Sequence, residues 1–136
     1  MEESIALSKQ IRQKFGLEDK DIRTYSPLAL AYIGDAVYDL VIRSIVTMKG
    51  NMPINKLHGR AVRYVSAPAQ ARILKRLEKE LDEEETDILR RGRNAKIHTK
   101  AKNASLEEYL EATAFESLIG YLYLTDRFDR ALELIK

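Results

Sequence analysis

The stretch from Pro27 to Met48 carries only three charges, Asp35, Asp39 and Arg43, and apolar side chains occupy most of its faces. Its spacing predicts a helix, and a helix so covered belongs inside a bundle. Residues 112–125, ATAFESLIGYLYLT, repeat the pattern with Glu116 as the sole charge. Two such helices in a chain of 136 residues leave room for one modest core built around them.

The remaining segments agree with an all-α fold. Six glycines and three prolines punctuate the chain, and no convincing period-2 run is present. A first helix is predicted over 3–15, with Leu7, Ile11 and Phe15 on one face. Ser26-Pro27 supplies a cap oxygen and a proline at the first helical position, so the apolar helix starts there and stops near Gly50-Asn51. Pro53 opens a helix through Leu57, Ala61 and Val65, and Ser66-Ala67-Pro68 interrupts it. A helix over 67–80 follows. Asp82 and Glu85 make a capping pair for a short helix that Gly92 should end. Residues 93–104 read as a loop, Ser105 and Glu108 start a helix that reaches Leu124, and Thr125 caps a last one bearing Phe128, Ala131, Leu132 and Ile135. The expectation is about seven helices.

The net charge of +2 announces no nucleic-acid partner by itself, so any electrostatic footprint must be local. The chain has no cysteine, which excludes disulfides and thiolate metal sites and fits a cytoplasmic location. The amino terminus lacks the pattern of a secretory signal, and no uncharged run could span a bilayer.

Each apolar helix carries an acid near its middle, where an ionised carboxylate costs several kcal/mol unless it is paired or bound to a metal. Each also carries a glycine beside that acid: Gly34 adjoins Asp35, and Gly120 lies one turn after Glu116. A mid-helix glycine costs about 1 kcal/mol relative to alanine and is kept where another backbone comes close. Two helices touching at these glycines would bring Asp35 and Glu116 together, and two close carboxylates call for a cation. With no cysteine and two histidines, an oxygen-ligated Mg²⁺ or Mn²⁺ fits best. The structural alternative is that Asp35 pairs with Arg43 or another arginine while Glu116 caps a neighbouring helix. A di-iron carboxylate site would need E-x-x-H pairs, and neither His58 nor His98 has a glutamate three residues before it.

YIGDAVYDLVIR at 32–43 resembles the signature helix of the ribonuclease III catalytic domain, and FESLIGYLYL at 115–124 resembles that domain's later acidic helix. LHGRAVRYVSAPAQARIL at 57–74 is similar to its middle helices. ALAYIGDAVYD, LRRGRNAK and TAFESLIGY together resemble the short bacterial branch of that family, Mini-ribonuclease III, which lacks a double-stranded-RNA-binding domain. The resemblance covers roughly residues 26–136, with 1–25 as an extension, and nothing after Lys136 remains for an RNA-binding appendage.

The resemblance implies a homodimeric helical bundle that hydrolyses double-stranded RNA with Mg²⁺, leaving 5′-phosphate and 3′-hydroxyl ends. It assigns Asp35 and Glu116 as metal ligands and catalytic acids. It also suggests maturation of the large-subunit (23S) ribosomal RNA precursor. Where larger members carry two further acids, this chain has Ala31 and Thr113, which favours one firmly held ion and leaves the number of ions open. Asp39, one turn after Asp35, is a candidate support through water. RRGRNAKIHTKAK at 90–102 contains Arg90, Arg91, Arg93, Lys96, Lys100 and Lys102 with no acid, and is the candidate phosphate-binding loop. The rival reading is a non-catalytic duplex-RNA-binding or ribosome-associated module on the same fold.

Overall fold

In a computed structural model the chain is described over residues 6–95 and 105–136. Its order is α1 (Leu7–Phe15), a 3₁₀ turn (Ile22–Thr24), α2 (Pro27–Lys49), α3 (Ile54–Val65), α4 (Ala67–Leu77), a second 3₁₀ turn (Glu78–Glu80), α5 (Glu83–Arg93), α6 (Leu106–Leu124) and α7 (Phe128–Ile135). No strand occurs among the described residues, as the sequence predicts.

The predicted caps set most boundaries. Ser26 Oγ accepts from the Ala29 amide at 3.1 Å, with Pro27 in the first turn. Ser66 closes α3 and caps α4, which makes a sharp elbow between them. Asp82 with Glu85, and Ser105 with Glu108, form reciprocal capping boxes. Thr125 does not cap α7. Its hydroxyl donates back to the Tyr121 carbonyl at 2.7 Å, Asp126 turns the chain with φ of 63°, and α7 starts after Arg127. Gly92 does not stop α5 either. It lies buried in the last turn, where an added methyl would stand 2.7 Å from Ala114 Cα, so it permits close packing of α5 on α6.

Helix α6 is the axis of the molecule and packs against α2, α4 and α5. From Ala112 to Tyr123 every residue is buried except Glu116. Tyr38 and Phe115 meet edge to face at 4.9 Å between ring centroids, with Leu74, Leu89, Leu118 and Leu122 around them. Glu85, 1% exposed, is satisfied by Arg130, which donates to both its carboxylate oxygens at 2.8 Å.

One expectation about packing fails. Helix α2 is not covered on all sides: Leu28, Tyr32 and Leu40 are exposed, Tyr32 to 84%, with Leu28 and Tyr32 on the side that also bears Asp35. Apolar composition cannot tell a core-facing side from one awaiting a partner. Helix α1 turns Ser8 inward, leaving Leu7, Ile11 and Phe15 exposed. Its anchor is polar: Arg12 donates to Ser8 Oγ at 2.9 Å and pairs with Asp126 at 2.6 Å.

Candidate active site

The contact between α2 and α6 is made by main chain. A methyl group on Gly34 would fall 1.7 Å from the Glu116 carbonyl oxygen, and one on Gly120 would fall 2.0 Å from the Leu30 carbonyl oxygen. Neither space can hold a carbon, so the sequence tolerates two mid-helix glycines for the sake of proximity. The expectation that the two helices touch at their glycines holds.

Asp35 and Glu116 follow from that contact. Each sits beside the crossing point, and their carboxyl groups are close enough to share a proton. Asp35 is exposed, while Glu116 is half-buried beneath it. The pair therefore reaches the surface through Asp35 rather than lying in the dry interior that the sequence suggests. Burial above all, then the neighbouring Asp35 carboxyl, pushes Glu116 up to about 9, while an amide hydrogen bond from Gln70 pulls it down. Neither structural alternative applies among the described residues. It is Asp39, not Asp35, that pairs with Arg43, at 2.9 Å, and Glu116 caps no helix.

Gln70 adds a third polar group beside Glu116 that no motif in the sequence singles out. It is 2% exposed on α4, and its amide donates to the Val65 carbonyl at 3.2 Å and to Glu116 Oε2 at 3.5 Å. Its own oxygen is buried with no hydrogen-bond partner. One signal was available. Gln70 precedes Leu74 by four residues and Leu77 by seven, so a polar amide occupies the core stripe of α4.

This donor set suits a hard divalent cation. Two oxygen ligands and an amide that steadies one of them match an ion that completes its shell with water and phosphate oxygens. No group of three or more His, Asp or Glu side chains placed to hold a metal ion occurs among the described residues. Ala31 is buried, and the buried Thr113 gives its hydroxyl to the Tyr109 carbonyl at 2.9 Å, so neither adds a ligand. A cation bound there would be held by Asp35 and Glu116, and its charge would favour the ionised form of Glu116 that burial and Asp35 disfavour.

The basic run is divided differently from the expectation. Arg90 and Arg91 lie in the last turn of α5, as the sequence predicts, and Arg93 ends that helix instead of opening the loop. Arg90 pairs with Asp87. Arg91 donates to the Arg23 and Tyr25 carbonyls, at 3.2 and 2.9 Å, and ties down the chain before α2. Arg93 binds both oxygens of Glu111 and one of Glu78, at 2.7 to 2.8 Å. Lys96, Lys100, Lys102 and His98 lie outside the described residues. No described helix is long and apolar enough to cross a membrane.

A family model described as the Ribonuclease III domain matches residues 28–127. The chain is 45% identical over 118 residues to a protein named Mini-ribonuclease 3 from Clostridium tetani, covering 86% of this chain and 78% of that one. It is 48% identical over 118 residues to the Mini-ribonuclease 3 of Enterococcus faecalis, covering 85% and 89% respectively. The Mini-ribonuclease 3 of Staphylococcus aureus is 45% identical over 120 residues, covering 87% and 90%. Among solved structures, a crystal structure of a protein from Fusobacterium nucleatum superposes with a TM-score of 0.79 at 37% identity, covering 85% of this chain and 94% of that one.

Proposed function

Because the chain belongs to the ribonuclease III family, we propose that it is an endoribonuclease that cuts double-stranded RNA using a divalent cation held by Asp35 and Glu116. The observation that carries this reading is the meeting of those two carboxyl groups beside a backbone contact between α2 and α6. Mg²⁺, with Mn²⁺ as a substitute, supplies charge to offset the phosphodiester and acidifies the attacking water. Asp35 and Glu116 fix where that charge sits and orient the water for in-line attack. Gln70 holds one Glu116 oxygen and so limits how the carboxylate can swing. The products carry 5′-phosphate and 3′-hydroxyl ends.

The exposed Leu28, Tyr32 and Leu40 of α2 support a homodimer. Two protomers would then address one duplex, each cutting one strand. Likeness to the short bacterial branch supports the 23S ribosomal RNA precursor as the cytoplasmic substrate. Arg93 and Arg91 hold the fold in this reading, and phosphate contacts in the 90–102 run fall to Lys96, Lys100 and Lys102.

The test is incubation of long double-stranded RNA with the wild-type protein, in Mg²⁺ or in EDTA, beside Asp35→Asn. Mg²⁺-dependent shortening that vanishes in the variant, with duplex binding retained, is the expected result. A gel shift without cleavage would establish the non-catalytic binding module instead. Unchanged turnover by Asp35→Asn would remove that residue from the site.

A further inference from the structure

The backbone holds Gln70 in one orientation. Its Nε2 carries two hydrogens: one goes to the Val65 carbonyl at 3.2 Å, the other to Glu116 Oε2 at 3.5 Å. A carbonyl only accepts, so turning the amide over would set oxygen against oxygen at Val65. The Gln70 oxygen is therefore left buried with no hydrogen-bond partner. Val65 is fixed in turn by the elbow, where Ser66 ends α3 and accepts from the Ala69 amide at 3.4 Å, with Pro68 in the first turn of α4. A buried acceptor without a donor weakens a fold, and a leucine in this stripe would carry none. What the chain gains from glutamine at this position is the N–H presented to Glu116.

That N–H limits what Glu116 can hold. Sites with two divalent cations set them about 3.5–4 Å apart, and a carboxylate between them gives an oxygen to each. Oε2 of Glu116 already accepts from a proton donor, whose partial positive charge repels a cation. No other N–H reaches Glu116 among the described residues, so its second oxygen is the one open to an ion shared with Asp35. The neighbouring positions do not make up the difference. Ala31 has no donor atom in its side chain, and Thr113 gives its hydroxyl to the Tyr109 carbonyl.

We propose that Gln70 makes this a one-ion site, its amide covering the Glu116 oxygen that a second divalent cation would need. This rests on the nuclease reading above for the presence of the first ion. Gln70 is a positioning residue, since it acts through Glu116 rather than on the reacting atoms. One ion held by two carboxylates, with water and phosphate oxygens filling its shell, suits Mg²⁺, which gives up its waters reluctantly. Charge at position 70 then decides the count: a neutral donor admits one ion, and an anionic acceptor there admits two.

The experiment counts Mn²⁺ on the full chain at neutral pH without RNA, by calorimetric titration and by electron paramagnetic resonance of the saturated protein. Wild type should take one ion per chain and show the hyperfine pattern of isolated Mn²⁺. Gln70→Glu removes the N–H and adds a carboxylate; it should take two ions and show spin-coupled pairs. Thr113→Asp supplies an acid where larger members of the family have one but leaves the amide in place, so it should still take one. Far-UV circular dichroism shows whether each variant folds, and wild type and Thr113→Asp carry the test if Gln70→Glu does not. Two ions on wild type or on Thr113→Asp would overturn the proposal, as would a single ion on folded Gln70→Glu. Those results would leave the nuclease reading standing, whereas wild type that takes no Mn²⁺ at all would sink that reading and the proposal with it.

Discussion

Replacing Gly34 by alanine and, separately, Gly59 by alanine makes the same chemical change in two helices with opposite consequences. On intrinsic helix propensity each substitution should stabilise by about 1 kcal/mol. At Gly59, on the exposed side of α3, the new methyl meets nothing within 4 Å, so that gain survives. At Gly34 the methyl would stand 1.7 Å from the Glu116 carbonyl oxygen, whereas ordinary contact begins at 3.4 Å. The difference, 3.4 − 1.7 = 1.7 Å, has to come from parting two backbones, because no flexible side chain is there to yield. A gap of even ~0.5–1 Å forfeits a quarter to a half of each van der Waals contact along the seam. The seam includes Leu30 and Ile33 against Gly120, and Tyr38 against Phe115. The expected net loss is about 3 kcal/mol or more, at the upper end of overpacking costs. With about 4 °C per kcal/mol for a domain of this size, Gly34→Ala should melt about 12 °C or more below wild type. Gly59→Ala should melt a few degrees above it. Thermal melts followed by far-UV circular dichroism in EDTA measure both. If Gly34→Ala melts within about 2 °C of wild type, or the two variants shift in the same direction, the backbone contact is not what joins α2 to α6.

Three further outcomes follow from side-chain partnerships. Arg130→Met strands the buried Glu85 carboxylate and should destabilise by about 3–5 kcal/mol in urea titrations at neutral pH. Arg130 holds the Glu85 carboxyl below its ordinary range, so this stabilisation is present above the unfolded value and lost as pH falls through the folded one; wild type and variant should therefore converge in acid, and a constant gap would refute the pairing. Gln70→Leu removes a buried oxygen that has no partner and should leave metal-free melting close to wild type, while calorimetric titration with Mn²⁺ should show binding about 10–100-fold weaker. Unchanged Mn²⁺ affinity would show that Gln70 merely fills space. Arg93→Ala, which breaks its bonds to Glu78 and Glu111, should cost about 1–2 kcal/mol of stability, between the values for exposed and buried pairs; a loss confined to RNA binding would contradict that structural role.

The sequence revealed most where local chemistry decides the outcome. Ser26, Asp82 and Ser105 announced their helices because a cap needs only a side-chain oxygen and the next few amides. The meeting of Gly34 with Gly120 was legible too, since two costly residues beside two costly acids share one economical explanation. What escaped depends on relations across the fold. Thr125 looked like a cap until the positive φ of Asp126 moved the start of α7. Arg91 and Arg93 looked free because their partners lie far away along the chain. The exposed side of α2 reads the same as its buried side.

The crossing of α2 over α6 works as a fixed gauge. Because main chain abuts main chain there, the spacing of Asp35 and Glu116 is set by atoms that every residue type shares. Substitutions elsewhere in the bundle can raise or lower its melting temperature without recalibrating that spacing. Heat-adapted versions of this chain can therefore be sought over nearly the whole molecule, provided two positions are left without a side chain.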